Sequence, residues 1–549
     1  MNLHGLLPEM IMLAAAAVIL LNGLCPRESV RRASQWLALV GLVAAFVAAW
    51  RLAAPGQHAG WPLWPLATFG SLLASGVGLL AVLASWNMPF KDQPTETDSA
   101  YRGEYFALLL CSLAGLSMMA KVNNLIWLFL ALELVSMPTY IMVAAGRGQS
   151  AAQEAGVKYF FLGALSAAVY LFGFSYLYGF AGSTRFSTIA AAFHSALALG
   201  HPPAIALIGL LMVVLGISYK IAAVPLHYYA PDVYQGAATP VTAFLAFTPK
   251  AAGFIALILV FNLTGWQLSS SLAGAVPALL MALAVVTMFV GNVLALLQRN
   301  LKRILAYSSI AHSGYMLAAL ALGPALSPEA TRPGELGGSS INGLSALLFY
   351  LAAYSLMTLG AFAVLIYLEG QTGAAEDFDG IAGLAGEHPL AAGCMAVCLF
   401  SLIGMPGTVG FLGKLFIVQA ALAAHHPVLA VIIVINAAIA ATYYLRIVAA
   451  MYLRAAATPL TVRRPALALK LSAAVATFLV IFFGLFPGAL YRQSVAGGRS
   501  VPTVYSAAHW PGRSAKRTAV GMPGSARAGL WANKNDAFAK CLGPGLPVA

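Results

Sequence analysis

Residues 203–229 read PAIALIGLLMVVLGISYKIAAVPLHYY. Nothing between Pro203 and Tyr219 is charged, and the whole stretch is long enough to cross a hydrocarbon core about 30 Å thick, which takes roughly 20 apolar residues. Near its end stand Lys220 and, five residues on, Pro225. A proline inside a helix frees the carbonyl four residues earlier, here that of Ile221, and bends the axis. A charge in a span costs roughly 3 kcal/mol on insertion scales, so a charge beside a helix break marks a functional candidate.

Runs of the same apolar kind continue in both directions. They lie near 6–24, 34–53, 64–87, 103–120, 122–146 and 156–181, then 203–229, 237–263, 272–297, 303–322, 341–368, 388–423, 427–454 and 466–490, about fourteen spans in all. Of the 549 residues 61% are hydrophobic and 9% charged, which excludes a soluble globular chain. The expected fold is an all-α, multi-pass membrane protein. The first run holds Glu9 and lacks a basic leader, so it reads as a retained helix. Cys394 and Cys398 stand four apart inside an apolar run, a spacing that suits packing better than metal ligation.

The net charge of +13 is concentrated at one end, because residues 492–549 hold eight Lys or Arg against one acid. That segment, rich in Gly, Pro, Ser and Ala, reads as a disordered basic tail and gives no reason to expect a nucleic-acid partner. Among the loops, Lys and Arg gather after odd-numbered spans, as at Arg27, Arg31, Arg32, Lys302, Arg303, Arg463 and Arg464. The positive-inside bias then places both termini on the outer side of the membrane.

Within the spans the ionisable candidates are Glu133, Lys158, Lys220, Lys250, His312 and Lys414. Glu133 and Lys250 sit near the centres of their runs, whereas Lys158 stands within a turn of its helix start, where a lysine can snorkel to the headgroups. His312 is central, and only its company makes it more than a core histidine. Helix breakers accompany the charges. Pro138 follows Glu133 by five residues, Pro249 adjoins Lys250, and Pro406 with Gly404, Gly407 and Gly410 interrupts the run leading to Lys414. Broken helices in corresponding places of two halves mark transporter folds built on inverted repeats. No nucleotide loop, spaced Cys/His cluster or nucleophile triad is visible, so any redox cofactor belongs to other chains.

At these residues the sequence resembles the antiporter-like, proton-pumping subunit N of bacterial NADH:quinone oxidoreductase, respiratory complex I, called subunit 2 in organelles. The segments that carry the resemblance are LELVSMPTYIMVA (132–144), EAGVKYFFLGALSAAVYLFGFSYLYG (154–179), KIAAVPLHYYAPDVYQGAATPVTAFLAFTPKAAGF (220–254), LKRILAYSSIAHSGYML (301–317) and GMPGTVGFLGKLFIV (404–418). Subunits L and M and the multisubunit cation/proton antiporters share the broken-helix plan. PDVYQG (231–236) and a lysine at 250 look like subunit N, and a lysine at 414 fits N and L, where M is expected to have glutamate.

The resemblance implies a polar axis with the Glu133–Lys220 pair at one end, Lys250 central and Lys414 at the far end, with His227 and His312 lining the path; Lys158, read from its place in the span, is a further candidate relay. With the apolar runs it divides the chain into helices 1–3 over 1–102, a first antiporter-like half over 103–263, a second over 272–454 and a last span over 466–490, and leaves the basic tail over 492–549 outside the resemblance. It also implies neighbouring membrane and peripheral subunits in a bacterial inner (plasma) membrane, with quinone, FMN and iron–sulfur clusters held elsewhere in the complex. Two departures stand out: Pro249, where a small polar residue is expected, and the tail, which has no family counterpart. Lysine suits proton carriage because desolvation lowers its affinity for a proton and a nearby carboxylate restores it. The rival reading is a cation/proton antiporter that works without redox partners.

Overall fold

The computed structural model describes residues 3–25, 28–53, 64–86, 98–145, 150–199, 202–264, 266, 275–324, 341–372, 377–455 and 467–501. No strand occurs among the described residues. The elements in order are α1 (Leu7–Gly23), α2 (Glu28–Leu52), α3 (Trp64–Ala84), α4 (Asp98–Met119), α5 (Leu125–Ala144), α6 (Ser150–Ala181), α7 (Phe186–Ala198), α8 (Ala204–Lys220), α9 (Tyr229–Gly236), α10 (Thr239–Leu245) and α11 (Thr248–Asn262). They continue with α12 (Ala275–Leu296), α13 (Leu301–Leu322), α14 (Gly343–Thr372), α15 (Leu384–Glu387), α16 (Pro389–Ile403), α17 (Val409–Ala423), α18 (Pro427–Leu453), α19 (Leu467–Leu485) and α20 (Gly488–Ser500). Eleven helices among the described residues are long and apolar enough to cross a membrane, or twelve if one bent pair is a single span.

The outer helices expose large apolar side chains, as at Phe161, Leu165 and Val434, while α11 and α13 are buried along nearly their whole length. Lipid rewards no separation of apolar from polar faces outside, so charge and hydroxyls collect inside and small residues set the helix contacts. At Gly115 of α4 a Cβ would come within 2.8 Å of the Val135 nitrogen on α5, and at Gly291 of α12 within 2.6 Å of the Ala311 nitrogen on α13. Both helices that follow start on an asparagine. Asn124 accepts the Trp127 N–H at 2.8 Å and Asn300 accepts that of Arg303 at 3.1 Å, satisfying orphan amides at the helix N-termini.

Several predicted spans are interrupted, but not at Pro138, which α5 carries inside one unbroken helix. The run 203–229 is α8 followed by a non-helical break, where Ala222 adopts φ 53° and Pro225 stops the helix from resuming before Tyr229. The run 237–263 divides at Ala246 and Phe247. Pro249 therefore sits in the first turn of α11, where a missing N–H costs nothing, and not as a kink inside a continuous span. The run 388–423 divides between Ile403 and Val409, with Gly404 at φ 96° and Gly407 at φ 85°. Residues 186–198, between the predicted spans 156–181 and 203–229, form α7. It is too short to span, but it buries Phe186, Ile189 and Phe193 at helical spacing.

The tail assignment also needs correction at its start. Helix α20 runs through residue 492 to Ser500 and buries Ser494, Gly497 and Gly498. A Cβ on Gly498 would fall 2.6 Å from the Ser345 nitrogen on α14, so the glycine permits a close helix contact. Composition alone reads such a segment as unstructured; packing turns its small residues into an interface. The rest of the tail, from 502, lies outside the described residues.

Candidate functional site

Lys220 is the last residue of α8. Beyond it the chain turns on the Ala222 N–H to Tyr219 carbonyl bond at 2.9 Å and the Ala223 N–H to Ser218 carbonyl bond at 3.0 Å. Its ammonium points back at α5, donating to Ser136 Oγ at 2.7 Å and Tyr140 Oη at 3.0 Å, with Glu133 Oε1 at 3.5 Å. Glu133 Oε1 also accepts the Tyr170 phenol at 2.6 Å. The lysine side chain is 3% exposed and the carboxylate 14%, so the pair is desolvated on the lysine side and reaches the molecular rim on the other. An ion pair so placed is viable only because hydroxyls satisfy the remaining donors and acceptors.

Pro225 leaves the Ile221 carbonyl without its helical donor, and Ser313 Oγ of α13 fills that place at 2.6 Å. The break after α8 is thus closed by a hydroxyl from α13. Lys250, in the first turn of α11, faces the same helix: its Nζ lies 2.5 Å from both the carbonyl and the Oγ of Ser309. Tyr234 Oη stands 3.3 Å from that Oγ. One turn further along α13, His312 is buried between two phenols, with Nδ1 2.7 Å from Tyr350 Oη and Nε2 3.1 Å from Tyr444 Oη. Tyr444 in turn bonds Ser308.

On α17, Lys414 donates to the carbonyls of Leu402 and Ile403, at 2.8 Å each. These belong to the final turn of α16, where the helix leaves carbonyls unpaired and its dipole presents negative charge. The ammonium also lies 4.9 Å above the Tyr315 ring. Gly404 makes room for this: a Cβ there would come within 3.1 Å of the lysine's Cδ. The helix break is therefore the binding site for the cation.

Glu133, Lys220, Lys250, His312 and Lys414 are thus all placed against polar groups inside the bundle. Two further candidates are not. His227 is half-buried in the α8–α9 break and its Nδ1 meets the Pro225 carbonyl at 3.3 Å, not a lysine. Lys158 is 42% exposed and bound to Glu154 at 2.8 Å and Asp232 at 3.1 Å. Asp232 also accepts Arg303 at 2.8 Å, so it ties α9 both to α6 and to α13. Sequence reading missed Asp232, the hydroxyl partners Ser136, Tyr140, Tyr170, Ser309, Tyr350 and Tyr444, and a second buried pair. In that pair Lys121 donates to Glu9 at 2.6 and 2.9 Å and to the Gly5 carbonyl at 2.8 Å, while Ser117 also bonds Glu9.

A family model described as NADH:quinone oxidoreductase/Mrp antiporter, TM, matches residues 122–440, which contain every one of the buried lysines except Lys121. NADH-quinone oxidoreductase subunit N of Myxococcus xanthus (strain DK1622) is 36% identical over 508 residues, covering 88% of this chain and 95% of the relative. The chain belongs to the NADH-quinone oxidoreductase subunit N family. Another relative of that family, NADH-quinone oxidoreductase subunit N 2 of Roseiflexus castenholzii (strain DSM 13941 / HLO8), is 38% identical over 500 residues and 94% covered, with 88% of this chain. In the solved structure of respiratory complex I from Thermus thermophilus with bound aureothin, one chain superposes with a TM-score of 0.68 at 29% identity, over 89% of this chain and all of that one. A chain of the Mrp complex from Dietzia sp. DQ12-45-1b shares the fold at TM-score 0.74 and 19% identity, covering 93% of this chain and 99% of its own. Membership of the subunit N family agrees with the resemblance read from the central segments.

Proposed function

We propose that this chain is the proton-translocating subunit N of a bacterial NADH:quinone oxidoreductase, moving protons while electron transfer proceeds in other subunits. The observation that carries this reading is the row of buried cations, each seated on oxygen atoms at or facing a helix break: Lys220 on Ser136, Tyr140 and Glu133, Lys250 on Ser309, Lys414 on Leu402 and Ile403. Charges that need only be tolerated do not require discontinuous backbone, whereas a group that gains and loses a proton does need polar neighbours in both states. His312 with its two phenols lies on the stretch of α13 between the Lys250 contact and the far half. Lys158, on the exposed side of α6, and His227, in the α8–α9 break, are relay candidates outside this buried row.

In this reading residues 103–263 and 272–454 are two halves of inverted topology, supported by the paired asparagine caps and paired glycine contacts of α4–α5 and α12–α13. The chain sits in the inner membrane with both termini on the outer side, beside other antiporter-like subunits. Quinone, FMN and iron–sulfur clusters belong to the rest of the complex.

The test is Lys250→Met in the assembled complex, measured in sealed membrane vesicles. Proton uptake driven by NADH oxidation should fall steeply with assembly unchanged. Undiminished pumping would overturn the proposal. If the chain alone, in liposomes, dissipated a Na⁺ or K⁺ gradient against protons, a self-contained antiporter would replace it.

A further inference from the structure

Three features place α4–α5 and α12–α13 in one common register. Asn124 and Asn300 each cap the next helix and each form an isolated antiparallel bridge, with Arg185 and Asp377 respectively. Gly115 and Gly291 each admit the backbone nitrogen of the following helix, that of Val135 and that of Ala311. The differences agree: 300 minus 124, 291 minus 115 and 311 minus 135 all equal 176. In that register Glu133 falls on Ser309 and Ser136 falls on His312.

The coincidence has chemical content, because both positions of each helix face the polar interior. On α5, Glu133 and Ser136 meet the Lys220 ammonium. On α13, the residue at the Glu133 position meets Lys250 at 2.5 Å, and the residue at the Ser136 position bonds Tyr350 and Tyr444. The first half presents a carboxylate to Lys220; the second presents a hydroxyl to Lys250, which itself belongs to the first half. An ionised carboxylate can only accept hydrogen bonds, whereas a serine can donate or accept by rotating its O–H.

We propose that Ser309 is the second half's counterpart of Glu133, a positioning residue that holds Lys250 Nζ in one place whether the lysine is charged or neutral. With an ammonium, the Ser309 carbonyl and Oγ both accept. With a neutral amine, an N–H still donates to the carbonyl while the serine O–H turns to donate to the nitrogen lone pair. No carboxylate is needed for either state, and Tyr234, 3.3 Å from Ser309 Oγ, is the next hydroxyl that could hand on or receive a proton. The two lysines are therefore held by different rules, Lys220 by an ion pair and Lys250 by a reversible dipole.

This inference rests on the reading that Lys250 carries protons, and the experiment separates the two. Ser309→Ala, Ser309→Thr and Lys250→Met are compared in the assembled complex in vesicles, scoring complex assembly, quinone reduction and proton uptake across pH. Losing a hydrogen bond to a charged group should cut coupled pumping by about tenfold in Ser309→Ala, with assembly intact and an altered pH profile. Ser309→Thr, which keeps the hydroxyl, should restore most of the rate and the native profile. Normal pumping and profile in Ser309→Ala, with Lys250→Met inactive, would sink the role of Ser309 and leave that of Lys250 standing. Equal impairment of the alanine and threonine variants, with poor assembly, would reduce Ser309 to a packing residue. Normal pumping in Lys250→Met would remove the premise and the inference together.

Discussion

Ser313 of α13 donates its hydroxyl to the carbonyl of Ile221, the backbone acceptor left free ahead of Pro225. The bond crosses from the second half of the molecule to the break in the first. It also places Ser313 one turn beyond Ser309, whose carbonyl it contacts at 3.2 Å. Ser313→Ala would leave a buried carbonyl unpaired at a cost of about 1–3 kcal/mol. We expect a lower thermal midpoint for the detergent-purified complex and slower pumping. An unchanged midpoint would mean that water replaces the hydroxyl without penalty.

Glu133 and Lys220 should be energetically coupled. Glu133→Gln and Lys220→Met each remove one charge of a pair that lies largely out of water, so each should depress proton pumping, and quinone reduction with it if the two are mechanically linked. The double variant should lose less than the sum of the single losses, because an unpaired buried charge is costlier than none. A double-mutant cycle on vesicle activity, with assembly checked throughout, measures the coupling. Strict additivity would remove the pair from the mechanism.

Lys414 depends on helix-end carbonyls and not on any acid among the described residues. Lys414→Met should therefore abolish its contribution to pumping while leaving assembly near normal, since the two carbonyls lie at an irregular segment with Gly404, Met405 and Pro406 partly accessible. Gly404→Val should imitate it in part, because a branched side chain would crowd the lysine stem and strain a left-handed backbone. A Gly404→Val complex that pumps normally would show that the position of Lys414 is not set by that turn.

The Glu9–Lys121 pair calls for an asymmetric result. Lys121→Met strands a buried carboxylate and should destabilise by about 3–5 kcal/mol, enough to lower the amount of assembled complex. Glu9→Gln combined with Lys121→Met should recover much of that loss, since a neutral amide can still accept from Ser117. Immunodetection of the complex in membranes decides between recovery and none.

Helix α20 gives a prediction on packing. Gly498→Leu should prevent α20 from docking on Ser345 and lower assembly, whereas Leu at exposed Arg499 should have little effect, within about 0.5 kcal/mol. Equal assembly of the two variants would show that the α14 contact is dispensable.

Much of this architecture was legible because membrane spans write themselves as apolar runs, and because a charge inside such a run has no cheap alternative to a polar partner. Glu133, Lys220, Lys250 and Lys414 stood out for that reason, as did the breaks at Pro225 and Pro406. What remained hidden shares a physical cause. Ser309, Tyr350 and Tyr444 are ordinary residues in apolar helices, and only the depth and rotation of neighbouring helices turn them toward His312 or Lys250. Asp232 appeared within a quoted motif without a role, since nothing in a linear string shows that its two oxygens are divided between Lys158 and Arg303. Helix α7 escaped a search for 20-residue runs by being short, and α20 by being short and polar, with glycines and serines whose contribution lies in how closely they let backbones approach.

That division of the Asp232 carboxylate has a mechanical consequence. One oxygen is anchored to α6 and the other to α13, so α9 is a crossbar on two supports, held more firmly on α13, where Arg303 also bonds Gln235 and Ser309 meets Tyr234. If α9 slides along its length, it must release one anchor before the other can follow, and the residue released is a flexible, half-exposed lysine. Pivoting, by contrast, keeps both anchors and concentrates the strain in the unwound residues between Lys220 and Tyr229. Movement of α9 would thereby bear on the break whose edge holds Lys220 against Ser136, Tyr140 and Glu133.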